Sequence, residues 1–110
     1  MKERKLENLE PILKEIKTTL QKIYGKRLKK IILYGSYARG EADENSDLDL
    51  LVVLKEMENI CEELDRISRP LGEIDLKYDT LTSIIPVKAE DFEQKNFPLF
   101  LNARREGIEI

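Results

Sequence analysis

The sequence predicts an α/β (α+β) fold, a small mixed β-sheet of three to four strands packed with helices. Three patterns carry that prediction. Apolar residues at three- and four-residue steps open the chain, two continuous apolar runs follow at residues 30–34 and 48–54, and strict alternation comes at 73–78. A chain of 110 residues has room for one core, so residues 1–110 are expected to form a single domain.

The elements follow in order. Leu6, Leu9, Ile12, Leu13, Ile16, Leu20 and Ile23 recur at helical spacing and predict an amphipathic helix that Gly25 ends. Pro11 either sits in the first turn of a helix starting near residues 8–10 or kinks a longer one. Residues 30–34 and 48–54 are apolar on both faces and read as central strands. Ile60, Cys61, Leu64 and Ile67 give residues 57–68 a helical pattern, which Pro70 and Gly72 are expected to stop. In residues 73–78 Ile74, Leu76 and Tyr78 alternate with Glu73, Asp75 and Lys77, the period-two signature of a third strand. Residues 82–87 add a short edge element, since Pro86 suits an edge. From Ala89 a helical pattern runs towards Arg105, divided by Pro98, and Gly107 caps it before Ile108.

Composition removes whole classes of chemistry. Histidine is absent and Cys61 is the lone cysteine, so there is no Ser-His-Asp or Cys-His catalysis, no Cys/His zinc site and no intrachain disulfide. Any metal must be a hard cation on carboxylate oxygens, magnesium or manganese. The net charge of −3 gives no global attraction to nucleic acid. Lys26, Arg27, Lys29 and Lys30 form either a local phosphate-attracting patch or a solvated turn. No apolar run is long enough for a membrane span and the charged N-terminus lacks a signal-peptide core, so a cytoplasmic protein is expected.

Residues 35–49 concentrate the functional signal. Gly35-Ser36 makes a tight turn after an apolar strand, where backbone N–H groups approach an anion closely and the Ser36 hydroxyl caps a short helix starting at Tyr37. Eleven residues beyond Ser36 come Asp47 and Asp49, two apart and therefore on one strand face. Two like charges at the mouth of a buried strand repel each other and lose hydration, a cost that a divalent cation removes. Asp75, flanked by Ile74 and Leu76, joins them if its strand lies beside residues 48–54, and Glu73 is the alternative on the same face. Arg39 either neutralises phosphate or pairs with Glu41 or Asp43. Tyr34, Tyr37 and Tyr78 stack on a base or pack in the core, and Phe92, Phe97 and Phe100 build the core or, where exposed, meet a partner. Cys61 reads as a small buried hydrophobe.

The pattern Gly-Ser-x-Ala-Arg-Gly-Glu, then Ser-Asp-x-Asp-Leu opening an apolar strand, resembles the nucleotidyltransferase superfamily of the DNA polymerase beta type. Within it the chain resembles the minimal nucleotidyltransferases, the MntA-like antitoxins paired with HEPN-domain toxins. The resemblance implies that Gly35 and Ser36 hold the phosphates of ATP, that Asp47 and Asp49 bind two magnesium ions, and that Asp75 completes the site. It also implies AMP transfer to a tyrosine of the partner toxin. The 110 residues are expected to be used up by the catalytic layer, with none left for an acceptor-binding domain, so the acceptor is expected on a separate macromolecule or through self-association. Two other functions fit the same residues: an inert antitoxin that works by docking alone, and a transferase acting on a small molecule or RNA end.

Overall fold

The two apolar runs form the centre of a four-stranded sheet. The computed structural model describes residues 6–42 and 46–110. Helix α1 (Leu6–Tyr24) leads through a 3-10 turn (Gly25–Arg27) into β1 (Leu28–Tyr34). Strand β2 (Leu48–Leu54), helix α2 (Ile60–Tyr78) and strand β3 (Thr82–Lys88) follow, then α3 (Ala89–Gln94), α4 (Pro98–Glu106) and β4 (Ile108–Glu109). The strand order is β3-β2-β1-β4, with β1 antiparallel to β2 and β4, and β2 parallel to β3. Helix α2 is the crossover that a parallel pair requires.

Alternation along β2 sorts its side chains between two cores. Leu48, Leu50, Val52 and Leu54 pack with α1 and with Ile67, Leu71 and Ile74 of α2. Leu51 and Val53 point the other way, onto Phe92 of α3 and Phe100 and Ala103 of α4. Helices therefore cover both faces of the central strands, which is why residues 48–54 carry so few polar groups. Pro98 divides the last helical segment as expected, standing at the first position of α4. Gly107 lets β4 come in close, since a Cβ there would overlap the Ala103 carbonyl and the Ile32 side chain.

The expected third strand at residues 73–78 is not a strand. Helix α2 runs on through Pro70 and Gly72 to Tyr78, and residues 73–78 are its last turns. Ile67, Leu71, Ile74 and Tyr78 continue at four-, three- and four-residue steps, and the first three are buried. Burying Leu71 and Ile74 is worth about 1.5–3 kcal/mol each. Together they outweigh the roughly 3 kcal/mol that a proline costs inside a helix. The apparent alternation came from Leu76, which is 87% exposed on the far side of the helix. The third strand is instead residues 82–88, the segment expected as a short edge element. It lies at the sheet edge, where Pro86 breaks no internal ladder. Cys61 is also corrected: it is exposed in the first turn of α2, its N–H donating to the Asn59 cap.

One buried acid fastens α2 to the turn before β1. Glu63 is 3% exposed, accepts from Arg27 at 2.8 Å and lies 3.6 Å from Arg66. Burial works to raise its pKa, but Arg27, Tyr24 and Arg66 together hold it below the usual carboxylate value of 4.5. The facing Tyr24 phenol is pushed up to about 12 by burial and by that carboxylate. A depressed carboxylate stabilises the fold above its unfolded pKa and loses that contribution as pH falls through the folded value. Glu63→Ala should therefore cost about 3 kcal/mol at pH 7 by urea denaturation, with the gap from wild type narrowing below about pH 4.

Candidate active site

Three strand ends meet at one edge of the molecule. The C-terminal end of β1, the N-terminal end of β2 and the start of β3 lie side by side. Gly35 leaves β1 at φ +75°, in the left-handed region that glycine enters without strain. Residues 35–40 then form turns rather than the short helix expected after Ser36. The Arg39 N–H donates to the Gly35 carbonyl at 3.2 Å and the Glu41 N–H to the Ser36 carbonyl at 2.9 Å. N–H groups at the start of such a turn have no carbonyl behind them within the turn itself, which is how backbone anion sites are built. The buried Tyr37 anchors the turn, and its hydroxyl donates to the Ser46 carbonyl at 3.3 Å.

Asp49 comes directly against that turn. A Cβ on Gly35 would overlap the Asp49 Oδ2, so the glycine vacates the space the carboxylate occupies. Asp49 pairs across β1 with Tyr34 and across β3 with Ser83. It is half-buried, and burial followed by the Asp47 charge raises its pKa while Arg39 acts to lower it. Asp47 precedes β2 and is exposed. Arg39 hydrogen-bonds Glu41 at 3.1 Å, and Asp43 lies outside the described residues. Gly35, Ser36, Arg39, Asp47 and Asp49 thus gather at one place. Asp49 resists its own charge, with the exposed Asp47 carboxylate near it, and stands beside a backbone turn of the kind that receives anions, a donor set suited to a hard divalent cation carrying phosphate.

Asp75 does not join them. It lies on α2, on the Leu48–Leu50 side of the sheet, whereas Asp49 shares its face with Leu51 and Val53. Its carboxylate accepts from the Thr82 hydroxyl and from the Thr82 N–H at 3.3 Å, and so fixes the entry into β3. Glu73, the alternative, is exposed on the same helix. Neither fits the role expected of a third carboxylate. Asp75→Ala should cost about 2 kcal/mol in thermal or urea unfolding, because two hydrogen bonds to a charged group disappear. The folded variant should keep wild-type nucleotide binding, and losing that binding would restore Asp75 to the site.

Two neighbours flank Asp49 instead. Tyr34 is half-buried, and burial followed by the Asp49 charge raises its pKa. Ser83, unremarked in the sequence, holds the place across from Asp49, a relation visible only once the parallel register is known. Three of the four residues of the basic cluster make structural contacts, Arg27 with Glu63, Lys29 with Glu93 at 2.6 Å and Lys30 over the Phe92 ring, and Lys26 is exposed. Phe92 and Phe100 are buried, while Phe97 is 55% exposed.

A family model described as a nucleotidyltransferase domain matches residues 13–100. A Methanocaldococcus jannaschii protein named "Putative protein adenylyltransferase" is 43% identical over 77 residues, covering 70% of this chain and 77% of that one. Protein adenylyltransferase MntA of Thermococcus cleftensis is 42% identical over 55 residues, 50% of this chain and 54% of its own. A solved structure described as a putative minimal nucleotidyltransferase is 25% identical and superposes with a TM-score of 0.65 over 100% of both chains. A toxin–antitoxin crystal structure with AMP-PNP shares the fold, with a TM-score of 0.60 at 17% identity over 86% of this chain and 68% of that one.

Proposed function

Because this chain belongs to the nucleotidyltransferase domain family and is an enzyme of that kind, we propose that it transfers AMP from ATP to a tyrosine of a partner HEPN-domain toxin, which it thereby silences. The observation that carries the proposal is the seating of Asp49 in the space that Gly35 leaves open, at the foot of the turn formed by residues 35–40. The relatives named protein adenylyltransferases and the toxin–antitoxin structure with AMP-PNP support the nucleotide, the acceptor class and the partner.

In this reading the turn at Gly35 and Ser36 grips the β- and γ-phosphates through backbone N–H groups and the Ser36 hydroxyl. Arg39 balances the negative charge beside it. Asp47 and Asp49 would hold magnesium or manganese, which supplies neutralisation of the triphosphate and polarisation of the α-phosphate. The tyrosine oxygen attacks the α-phosphorus, the bond to the β-phosphate oxygen breaks, and pyrophosphate leaves. The phenolic proton passes to water at the open sheet edge, where Asp47 and Ser83 are exposed. Tyr34, beside Asp49, offers a ring against which the adenine stacks. Among the described residues no helix is long and apolar enough to cross a membrane, and the proposed site of action is the cytoplasm, where ATP is at hand.

The test is incubation of the chain with its co-encoded partner, magnesium and each NTP, followed by mass spectrometry of the partner. Tyrosine carrying one or more AMP units is expected. Tight binding without modification under any NTP would sink the enzymatic proposal. A second reading, neutralisation by docking alone, gains from the displacement of Asp75 out of the site. It predicts that an Asp47→Asn, Asp49→Asn variant still neutralises the toxin.

A further inference from the structure

Nucleotidyl transfer with two cations needs oxygen ligands for both, one ion at the leaving group and one at the attacking hydroxyl. The sheet shows where a further ligand would have to stand. Neighbouring strands lie about 4.8 Å apart, so the residue paired with Asp49 on either side is the nearest one able to share its ion. On β1 that residue is Tyr34, and on β3 it is Ser83. Ser83 points to the face of Asp49, because Ile85 and Val87 of its strand pack with Leu51 and Val53 while Ile84 packs on the opposite side.

An acid at position 83 would therefore stand next to Asp49 on an exposed strand end, without burial to oppose its charge. The acid nearest in sequence to β3 among those weighed for the site, Asp75, is committed to Thr82 across the sheet. Among the described residues no group of three acidic, histidine or cysteine side chains is placed to hold a metal ion. Two carboxylates and a triphosphate suffice for one cation, and a second would have to share those two acids, with no protein ligand of its own among the described residues.

Resting on the nucleotidyl-transfer reading, we propose that this chain holds a single divalent cation with its nucleotide, through Asp47 and Asp49, and that Ser83 occupies the position from which a carboxylate would seat a second. The attacking hydroxyl is then activated without a cation held by this chain.

Counting manganese decides it. The full chain is titrated with Mn2+ in saturating AMP-PNP, and bound ions are read by electron paramagnetic resonance, with AMP-PNP binding followed separately by calorimetry. One tightly held Mn2+ per chain is expected for wild type and two for Ser83→Asp. Circular dichroism checks that the variant is folded, and the wild-type count stands without it. Two tightly held ions on wild type, with AMP-PNP bound, would overturn the inference and leave the nucleotidyl-transfer reading intact. A folded Ser83→Asp chain that still holds one ion would overturn the assignment of position 83. Failure of AMP-PNP to bind at all would remove both.

Discussion

Asn in place of Asp49 is expected to lower nucleotidyl transfer by about a thousandfold or more, while leaving the fold at least as stable as before. Under the proposed mechanism the activity loss follows from removing half of the carboxylate charge that would hold the cation. The stability result follows from electrostatics within the site. Burial, and then the Asp47 charge, raise the Asp49 pKa above its ordinary 3.8, against the pull of Arg39. A carboxyl raised in the folded state favours folding while it is protonated. That contribution is complete below the unfolded pKa and is lost as pH rises through the folded value. Near neutrality the ionised Asp49 therefore weighs against folding, and a neutral side chain of the same shape relieves it. Thermal melting should show the variant a few degrees above wild type at pH 7, about 4 °C for each kcal/mol gained, and the difference should shrink towards pH 3. A variant that melts well below wild type at pH 7 would mean that Asp49 is a structural residue.

Gly35→Ala is the second large effect, and it works through two independent causes. An alanine at φ +75° carries left-handed strain of about 1–2 kcal/mol. Its Cβ would also overlap the Asp49 carboxylate, so either the strand end or the acid must shift. The expected result is a loss of about 2–3 kcal/mol in urea denaturation, with nucleotide affinity reduced about tenfold or more. Adding Asp49→Gly should recover the part of the stability due to overlap and none of the binding. If the single variant matches wild type in both measurements, the carboxylate does not depend on the space beside Gly35.

The sequence revealed the motif more readily than the path of the chain between strands. The meeting of Gly35 with Asp47 and Asp49 was legible because it depends on one tight turn and on a two-residue spacing at the mouth of one strand, both local properties of the backbone. The central strands were legible because residues 30–34 and 48–54 are apolar without alternation, which only burial on two faces explains. Asp75 was misplaced for a physical reason. Pro70 and Gly72 are breakers in isolation, and the packing of Leu71 and Ile74 against α1 and β2 that overrides them depends on elements far away in sequence. The same misplacement hid Ser83, since a residue acquires its neighbours in a parallel pair only through the crossover helix.

The interlocking of Gly35 with Asp49 also constrains the order in which such a chain can change by descent. While the acid remains, a side chain at position 35 meets both strain and collision, so drift there is blocked. Once position 49 shrinks, the collision vanishes and only the milder backbone strain is left. A lineage that abandons the chemistry is thus free to lose its acid first and its glycine afterwards, whereas the reverse order passes through a damaged fold. A descendant that keeps the glycine turn after its acids have gone would be a recent retiree from catalysis. One that keeps the acids without the glycine should be rare.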